Sequence, residues 1–335
     1  MKDQLARLIA GEDLSFDQAA GLFDQIMSGS LSEAQIAAVL TAIACKGATV
    51  DELAGAASAM RDKATRIRCD DPDAIDTCGT GGDGISTFNV STTAGIIAAA
   101  AGATVAKHGN RTNTRVSGSA EALAALGVNI DADVPAVERC LDDVRIGFLY
   151  AIRLHPAMKH AAPVRKALGV RTVFNLLGPL TNPARVRRQI IGVARAELTE
   201  TIASVLQRLG AVRAMVVSGP DGLCDLSITG PSRVSELADG SIRTYEVTPE
   251  ELGLTRAPIA ALAVTSPQHS AAVIGELLDG AKGPPRDHAL LTTAAALVVA
   301  GIADTLADGL ARAAEALDSG AARHTLQRWA EMSKT

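Results

Sequence analysis

The sequence predicts an α/β protein: a small all-helical domain ahead of a larger domain of alternating strands and helices. Three observations carry that expectation. The chain has 335 residues, 47% of them hydrophobic, which suffices for two lobes that each bury a core. Residues 1–68 contain three capping boxes that open three amphipathic runs, Ser15 with Gln18, Ser32 with Gln35 and Thr49 with Glu52. From Asp73 onward, short β-like runs end in glycine-rich or polar turns and lead into helices, the alternation of an α/β domain.

The elements follow in order. In the second helical run, Ile36, Val39, Leu40 and Ile43 recur at i, i+3, i+4 and i+7, a stripe for core packing or, as the alternative, for a second subunit. Residues 76–79 read as a strand before a helix over 92–101, and residues 103–107 as a strand before a helix over 119–126. A helical insert covers 155–169, and the Gly- and Pro-containing segment 175–183 suits a crossing between lobes. Residues 189–194, 198–209 and 212–217 supply a second βαβ unit. The longest apolar run, Ala289 to Ala303, includes two Thr and a Gly and stops at Asp304, short of the ~20 residues of a membrane span, so it reads as a buried helix. No internal repeat is evident.

Composition narrows the partners. One Trp, two Tyr and five Phe are too few for nucleic-acid stacking platforms, and a net charge of −5 gives no general basic field for a polyanion. Any anionic ligand must be held locally. The five cysteines are scattered and form no CxxC, which fits a reducing cytoplasm better than a disulfide framework or a zinc site. The first fifteen residues, MKDQLARLIAGEDLS, are acidic where a signal peptide would be apolar. No membrane partner is expected.

The densest chemical signal is DTCGTGGDG (76–84) followed by STFNVST (86–92). Closely spaced glycines let the backbone turn tightly and aim N–H groups at a ligand, and Asn89, Ser91 and Thr92 stand at a helix start, where the dipole favours anions. The combination describes a phosphate cradle rather than a plain turn. It is neither a Walker A loop nor a GxGxxG fingerprint. The next strand leads into KHGNR (107–111), where Lys107, His108, Asn110 and Arg111 bring cations, an imidazole and an amide together at the same sheet edge. Ser117-Gly-Ser119 opens a further helix. Lys159 and His160 fit the wet face of a helix, whereas Arg165 is ambiguous, because 169–179 would fold the insert back toward the loops.

Taken together, DTCGTGGDG, STFNVST, KHGNR, SGSAEALAALGV, the long block HPAMKHAAPVRKALGVRTVFNLLGPLTNP and DGLCDLSITG resemble the anthranilate phosphoribosyltransferase family of tryptophan biosynthesis, from the first helices to at least Gly230. The resemblance implies a helical domain of residues 1–71 with 155–183 and an α/β domain of 72–154 with 184–335. It also implies a central mixed, mainly parallel sheet, a site in the interdomain cleft and a homodimer joined through the helical domains. The implied reaction moves a phosphoribosyl group from 5-phosphoribosyl 1-diphosphate to the amino group of anthranilate, with magnesium. By the same resemblance Gly79, Gly82, Asp83, Thr87, Asn89, Ser91, Thr92, Lys107 and Ser119 hold the phosphoribosyl diphosphate. Gly79, His108, Asn110 and Arg165 receive anthranilate, and Ser91 and Asp225 touch magnesium. No residue is assigned as an obligatory base. A related transferase acting on another aromatic amine or base, and a non-catalytic paralogue that binds a ligand or nucleic acid, are the alternatives.

Two stretches depart from the family pattern. The loop after KHGNR reads Thr112-Asn113-Thr114-Arg115-Val116, which moves a basic residue by one position. Cys224-Asp225 stands where the family has Asp-Glu, and Ser218 where it often has His. Magnesium prefers oxygen and a thiol is mostly neutral near pH 7, so Cys224 is a poor ligand and weaker metal binding is expected, with Asp225 as the remaining carboxylate.

Overall fold

The computed structural model describes residues 1–112 and 115–335, so Asn113 and Thr114 of the departing loop lie outside the described residues. Four helices come first: α1 (Lys2–Ile9), α2 (Phe16–Met27), α3 (Glu33–Lys46) and α4 (Val50–Asp62). All three capping boxes form, each cap oxygen accepting the N–H three residues on while the Gln or Glu side chain accepts from the cap N–H. Such a cap stabilises a helix by about 1 kcal/mol. Glu52 does more than close its box: buried, it accepts from the Leu14 and Thr49 N–H groups and from Lys46 Nζ at 2.9, 2.9 and 3.0 Å. The stripe of Ile36, Val39, Leu40 and Ile43 is at most 2% exposed and belongs to the core.

The α/β part begins with β1 (Ile75–Gly79), α5 (Val90–Ala100), β2 (Val105–Gly109), α6 (Ser119–Ala125), α7 (Val134–Val144) and β3 (Ile146–Tyr150). The insert then runs through short helices α8 (Ala151–Leu154), α9 (Ala162–Leu168) and α10 (Phe174–Leu177), with 3-10 turns at Pro156–His160 and Gly178–Thr181. The chain returns to the sheet as β4 (Arg188–Gly192), α11 (Leu198–Arg208), β5 (Arg213–Ser218), β6 (Ser232–Ala238) and β7 (Ser241–Val247). It ends in α12 (Pro267–Leu278), α13 (Pro284–Ala300), α14 (Leu306–Asp318) and α15 (Ala321–Met332).

These strands form one seven-stranded sheet in the order β3-β2-β1-β4-β5-β6-β7. It is parallel from β3 through β5 and antiparallel for β5-β6-β7, hence mixed and mainly parallel. The strand order reverses between β1 and β4, which makes the carboxyl ends of those two strands the topological switch point where α/β sheets open a crevice.

Two large cores lie against the sheet. One joins α5, α13, α14 and α15 to Ile75, Val105, Ile146 and Ile190. The other joins the N-terminal helices to Ile191, Val193 and Val216, and it also takes in Ala161, Val164, Phe174, Leu177 and Leu180 of the insert. Residues 155–183 therefore pack with helices far earlier in the chain. The apolar run ending at Ala303 is largely α13, whose residues from His288 to Ala300 are all buried. Among the described residues no helix is long and apolar enough to cross a membrane.

Candidate active site

The loop that leaves β1 turns on Gly81, Gly82 and Gly84, with φ of 62°, 78° and 72°, a left-handed backbone that side chains rarely adopt. Gly82 is held from outside the sheet, because Arg171 Nη1 donates to its carbonyl oxygen at 3.0 Å, and a Cβ there would overlap the guanidinium. The loop delivers Asn89 to the start of α5, yet the Asn89 side chain does not cap that helix. Its Oδ1 instead accepts from Ser117 Oγ at 2.7 Å and Ser270 Oγ at 2.8 Å. The helix N-terminus thus keeps its field without a side-chain acceptor. Among the described residues the Thr87 and Thr92 hydroxyls, buried beside this turn, have no hydrogen-bond partner, and neither does the buried Ser218 hydroxyl at the end of β5. Buried hydroxyls normally pair, so these groups keep hydrogen-bonding capacity to spare.

The next strand corrects the sequence reading in one respect. The strand expected to end at Lys107 continues through Gly109 as β2, so Lys107 and His108 lie in the sheet at 1% and 6% exposure, pointing to opposite faces. Lys107 Nζ donates to the Thr77 carbonyl oxygen at 2.5 Å, and burial, partly offset by the nearby Asp76 carboxylate, lowers its pKa. Asp76 accepts from the His108 N–H and from Asn182 Nδ2, while burial raises its pKa. The His108 ring meets Gly178 O and His155, and burial lowers its pKa to about 3. Asn110 and Arg111 do reach the loop. Asn110 exchanges backbone and hydroxyl hydrogen bonds with Ser119, whose Oγ accepts from the Asn110 N–H at 3.2 Å and donates to its carbonyl at 3.1 Å.

Asp83 is the junction of the site. Its carboxylate, fully buried, accepts from Arg115 Nε at 2.6 Å, from Arg115 Nη2, and from the backbone N–H groups of Cys224 and Ile85, each at 3.2 Å. One side chain therefore ties together the loops after β1, β2 and β5. Gly79 packs against the last of these, since a Cβ on it would lie 3.3 Å from the Cys224 carbonyl. The Cys224 thiol, 3.7 Å from Thr80 Oγ1, is pushed up to about 12, first by burial and then by the Asp83 charge. It is a neutral, unreactive thiol at neutral pH. Asp225 beside it is 6% exposed, and burial raises its carboxyl to about 7 against the lowering effect of Arg115.

Arg165 sits on α9 with its guanidinium over the Phe174 ring, 5.2 Å from the centroid. It has no ion pair among the described residues, and burial lowers its pKa. The sequence singled out Arg165 but carried no signal for Arg171, which links this segment to the glycine loop. The role of Arg115 was half legible as a displaced cation. Its carboxylate partner, far away in the chain, was not.

The oxygen donors present fit one magnesium ion better than two. Among the described residues no three His, Cys, Asp or Glu side chains cluster to hold a metal. Asp83 is occupied by Arg115, Cys224 offers sulfur, and Asp225 remains as a buried carboxylate. Magnesium is commonly held by one or two carboxylates together with substrate phosphates, an arrangement that Asp225 suits.

A helical bundle packed on a mainly parallel sheet, with a glycine-rich loop at the switch point, is the architecture of the glycosyl transferase family that this chain matches. The chain matches the helical bundle domain of the glycosyl transferase family over residues 2–64 and the α/β domain of that family over residues 71–323. It is 51% identical over 328 residues to anthranilate phosphoribosyltransferase from Anaeromyxobacter sp. strain K, covering 98% of this chain and 97% of that one. The crystal structure of the Thermus thermophilus enzyme superposes with a TM-score of 0.94 at 42% identity, covering 99% of both chains. The Saccharomyces cerevisiae enzyme in complex with PRPP and Mg gives 0.89 at 27% identity, covering 98% of this chain and 96% of that one. The chain belongs to the anthranilate phosphoribosyltransferase family.

Proposed function

We propose that this cleft transfers the phosphoribosyl group of 5-phosphoribosyl 1-diphosphate to the amino group of anthranilate, giving N-(5-phosphoribosyl)anthranilate and diphosphate. The observation that carries the reading is the glycine loop, whose left-handed turns bring it to the uncapped start of α5 beside the unpartnered hydroxyls of Thr87 and Thr92.

In the reaction the bond from ribose C1 to the diphosphate oxygen breaks, the bond from C1 to the anthranilate nitrogen forms, and that nitrogen sheds a proton. Negative charge grows on the departing diphosphate, where preorganised donors are worth most. Gly79, Gly82, Thr87, Asn89, Ser91, Thr92 and Ser119 are assigned to the donor substrate, with Asp83 at their junction. Lys107, held under the loop on the Thr77 carbonyl, contributes its field rather than direct contact. When bound, magnesium neutralises diphosphate oxygens, and Asp225 and Ser91 are the side chains assigned to hold it.

Arg165 is assigned to the anthranilate carboxylate, because a half-buried guanidinium fixed on an aromatic ring and without an ion-pair partner suits a planar carboxylate. Asn110 follows the end of β2 and Gly79 ends β1, so both stand at the same edge of the sheet and are assigned to the anthranilate side. His108 forms a wall and not a base: both its nitrogens are engaged and its pKa of about 3 leaves it neutral. Catalysis then rests on aiming the amine at C1 and on stabilising the leaving group.

The packing of the insert with the N-terminal helices supports assigning residues 1–71 and 155–183 to one domain and 72–154 with 184–335 to the other. A homodimer through the helical domain is part of the same reading, and the 71% exposed Ile9 at the end of α1 is a side chain such a contact would cover. All five cysteines are free, in keeping with a cytoplasmic site of action. The test is to follow anthranilate fluorescence in the purified protein with the diphosphate donor and magnesium. Disappearance of the signal only when all are present is expected, and no turnover across a range of magnesium and manganese concentrations overturns the assignment.

A further inference from the structure

The Arg115 guanidinium is a cation in an unusual place. Its side chain is 16% exposed, it grips a carboxylate that is itself fully buried, and that carboxylate also holds the Cys224 N–H. The three loops joined there leave the carboxyl ends of β1, β2 and β5, the edge of the sheet that carries the glycine loop. The other titratable groups acting on this cluster are Asp225, Asp221, Cys224 and Lys107. Cys224 is neutral and Lys107 is bonded to the Thr77 carbonyl, so Arg115 is the cation of this cluster that an anionic ligand can draw from a carboxylate partner.

A guanidinium binds a phosphate in the same two-pronged manner as a carboxylate, and a diphosphate carries more charge. An anion entering the cradle therefore competes directly with Asp83 for Arg115. Asp83 can lose this partner without being left bare, because it keeps the N–H groups of Cys224 and Ile85. With Asp225 the main free carboxylate and a thiol beside it, the same edge has few oxygens for divalent metal.

Resting on the phosphoribosyl-transfer reading above, we propose that Arg115 is a stored diphosphate-positioning cation. It is parked on Asp83 in the ligand-free protein and passes to the diphosphate of the donor, supplying charge that a second metal ion would otherwise bring.

The test is calorimetric binding of inorganic pyrophosphate and of 5-phosphoribosyl 1-diphosphate, with a chelator and with saturating magnesium, to the full chain and its variants. The unaltered protein is expected to bind pyrophosphate in chelator. Arg115→Ser is expected to weaken this about ten-fold, the size of one charge-assisted contact, and Arg115→Lys to fall between. Magnesium should shrink the Arg115→Ser deficit to about three-fold or less, since metal then replaces the lost charge. Asp83→Asn, which releases the guanidinium, is expected to tighten pyrophosphate binding in chelator, a gain that misfolding does not produce.

Manganese titrated in the presence of the donor should saturate at one ion per chain by electron paramagnetic resonance. Failure of the unaltered protein to bind pyrophosphate without metal, equal binding by Arg115→Ser, an equal deficit with and without magnesium, weaker binding by Asp83→Asn, or two manganese ions per chain would each overturn the proposal. These outcomes differ from failure of the transferase reading, in which no form of the protein binds 5-phosphoribosyl 1-diphosphate even with magnesium.

Discussion

The Nε2 atoms of His108 and His155 face each other at 3.2 Å inside the protein. Because His108 Nδ1 lies 3.1 Å from the Gly178 carbonyl, which can only accept, Nδ1 carries the proton and His108 Nε2 is a lone pair. His155 Nε2 must then donate. Burial lowers His108 to about 3, and it lowers His155 to about 4 against the opposing effect of the Thr181 carbonyl; His288, whose ring is bonded to Leu226 O, is also lowered to about 4.

A depressed histidine pKa contributes stability that is fully present above the unfolded value near 6.5 and is lost as pH falls toward the folded value. The three rings should therefore each lower stability by about 2 kcal/mol between pH 7 and pH 5, partly offset by Asp225, whose carboxyl raised to about 7 gains stability as it takes up its proton over the same range. Denaturant titrations at the two pH values check this, and His288→Gln should flatten the slope. Equal stability at both pH values contradicts the burial argument.

Thr92 offers a test that separates folding from binding. Its buried hydroxyl has no partner, so Thr92→Val removes a desolvated polar group and should stabilise the ligand-free protein by about 1 kcal/mol. The same change should weaken binding of the diphosphate donor about ten-fold. Thermal melts and calorimetry read the two effects. A destabilised variant with normal affinity would mean that the hydroxyl serves the fold.

Gly192 closes β4 against the loop after β5, where a Cβ would overlap the Cys224 carbonyl oxygen. Backbone cannot step aside as a flexible side chain can. Gly192→Ala should cost about 3 kcal/mol and shift residues 224 and 225, so magnesium dependence and stability change together. An unaltered magnesium titration in a folded variant would show that the close approach has no bearing on the site.

Arg165→Ala should act on one substrate. If the guanidinium over Phe174 receives a carboxylate, KM for anthranilate rises about ten-fold or more, KM for the diphosphate donor barely moves, and Arg165→Lys recovers part of the loss. Equal rises in both constants would assign Arg165 to the fold of the insert.

Cys224→Asp tests the metal edge. A carboxylate placed beside Asp83 and Asp225 adds like charge in a buried setting, so the variant should melt lower than the parent in chelator. Magnesium should raise its melting temperature more than the parent's, because oxygen has replaced sulfur. Identical metal shifts for both proteins would exclude position 224 from the metal site.

Much of this protein was written locally. The capping boxes formed as spelled, because a cap needs only residues three apart, and the stripe from Ile36 to Ile43 reported its buried face through helical period alone. The glycine spacing announced a left-handed loop by itself, since few other residues tolerate that backbone. Other features depended on distance in the chain. The extension of β2 past Lys107 through His108 required β3 alongside, paired from Val105 to Gly109, and it buries the imidazole that the sequence placed at a strand-to-loop junction.

The sequence by itself determined the element types, the glycine-rich loop and the family, because these rest on short-range geometry and on motifs of adjacent residues. Only the tertiary structure decided what each charge does: that Arg115 is held by Asp83, that Arg171 steadies Gly82, that His108 is locked against His155, and that Asp225 is a buried carboxyl. The reason is physical. A side chain's protonation and partners depend on burial and on charges brought near by the strand order, and neither is a property of its neighbours in sequence.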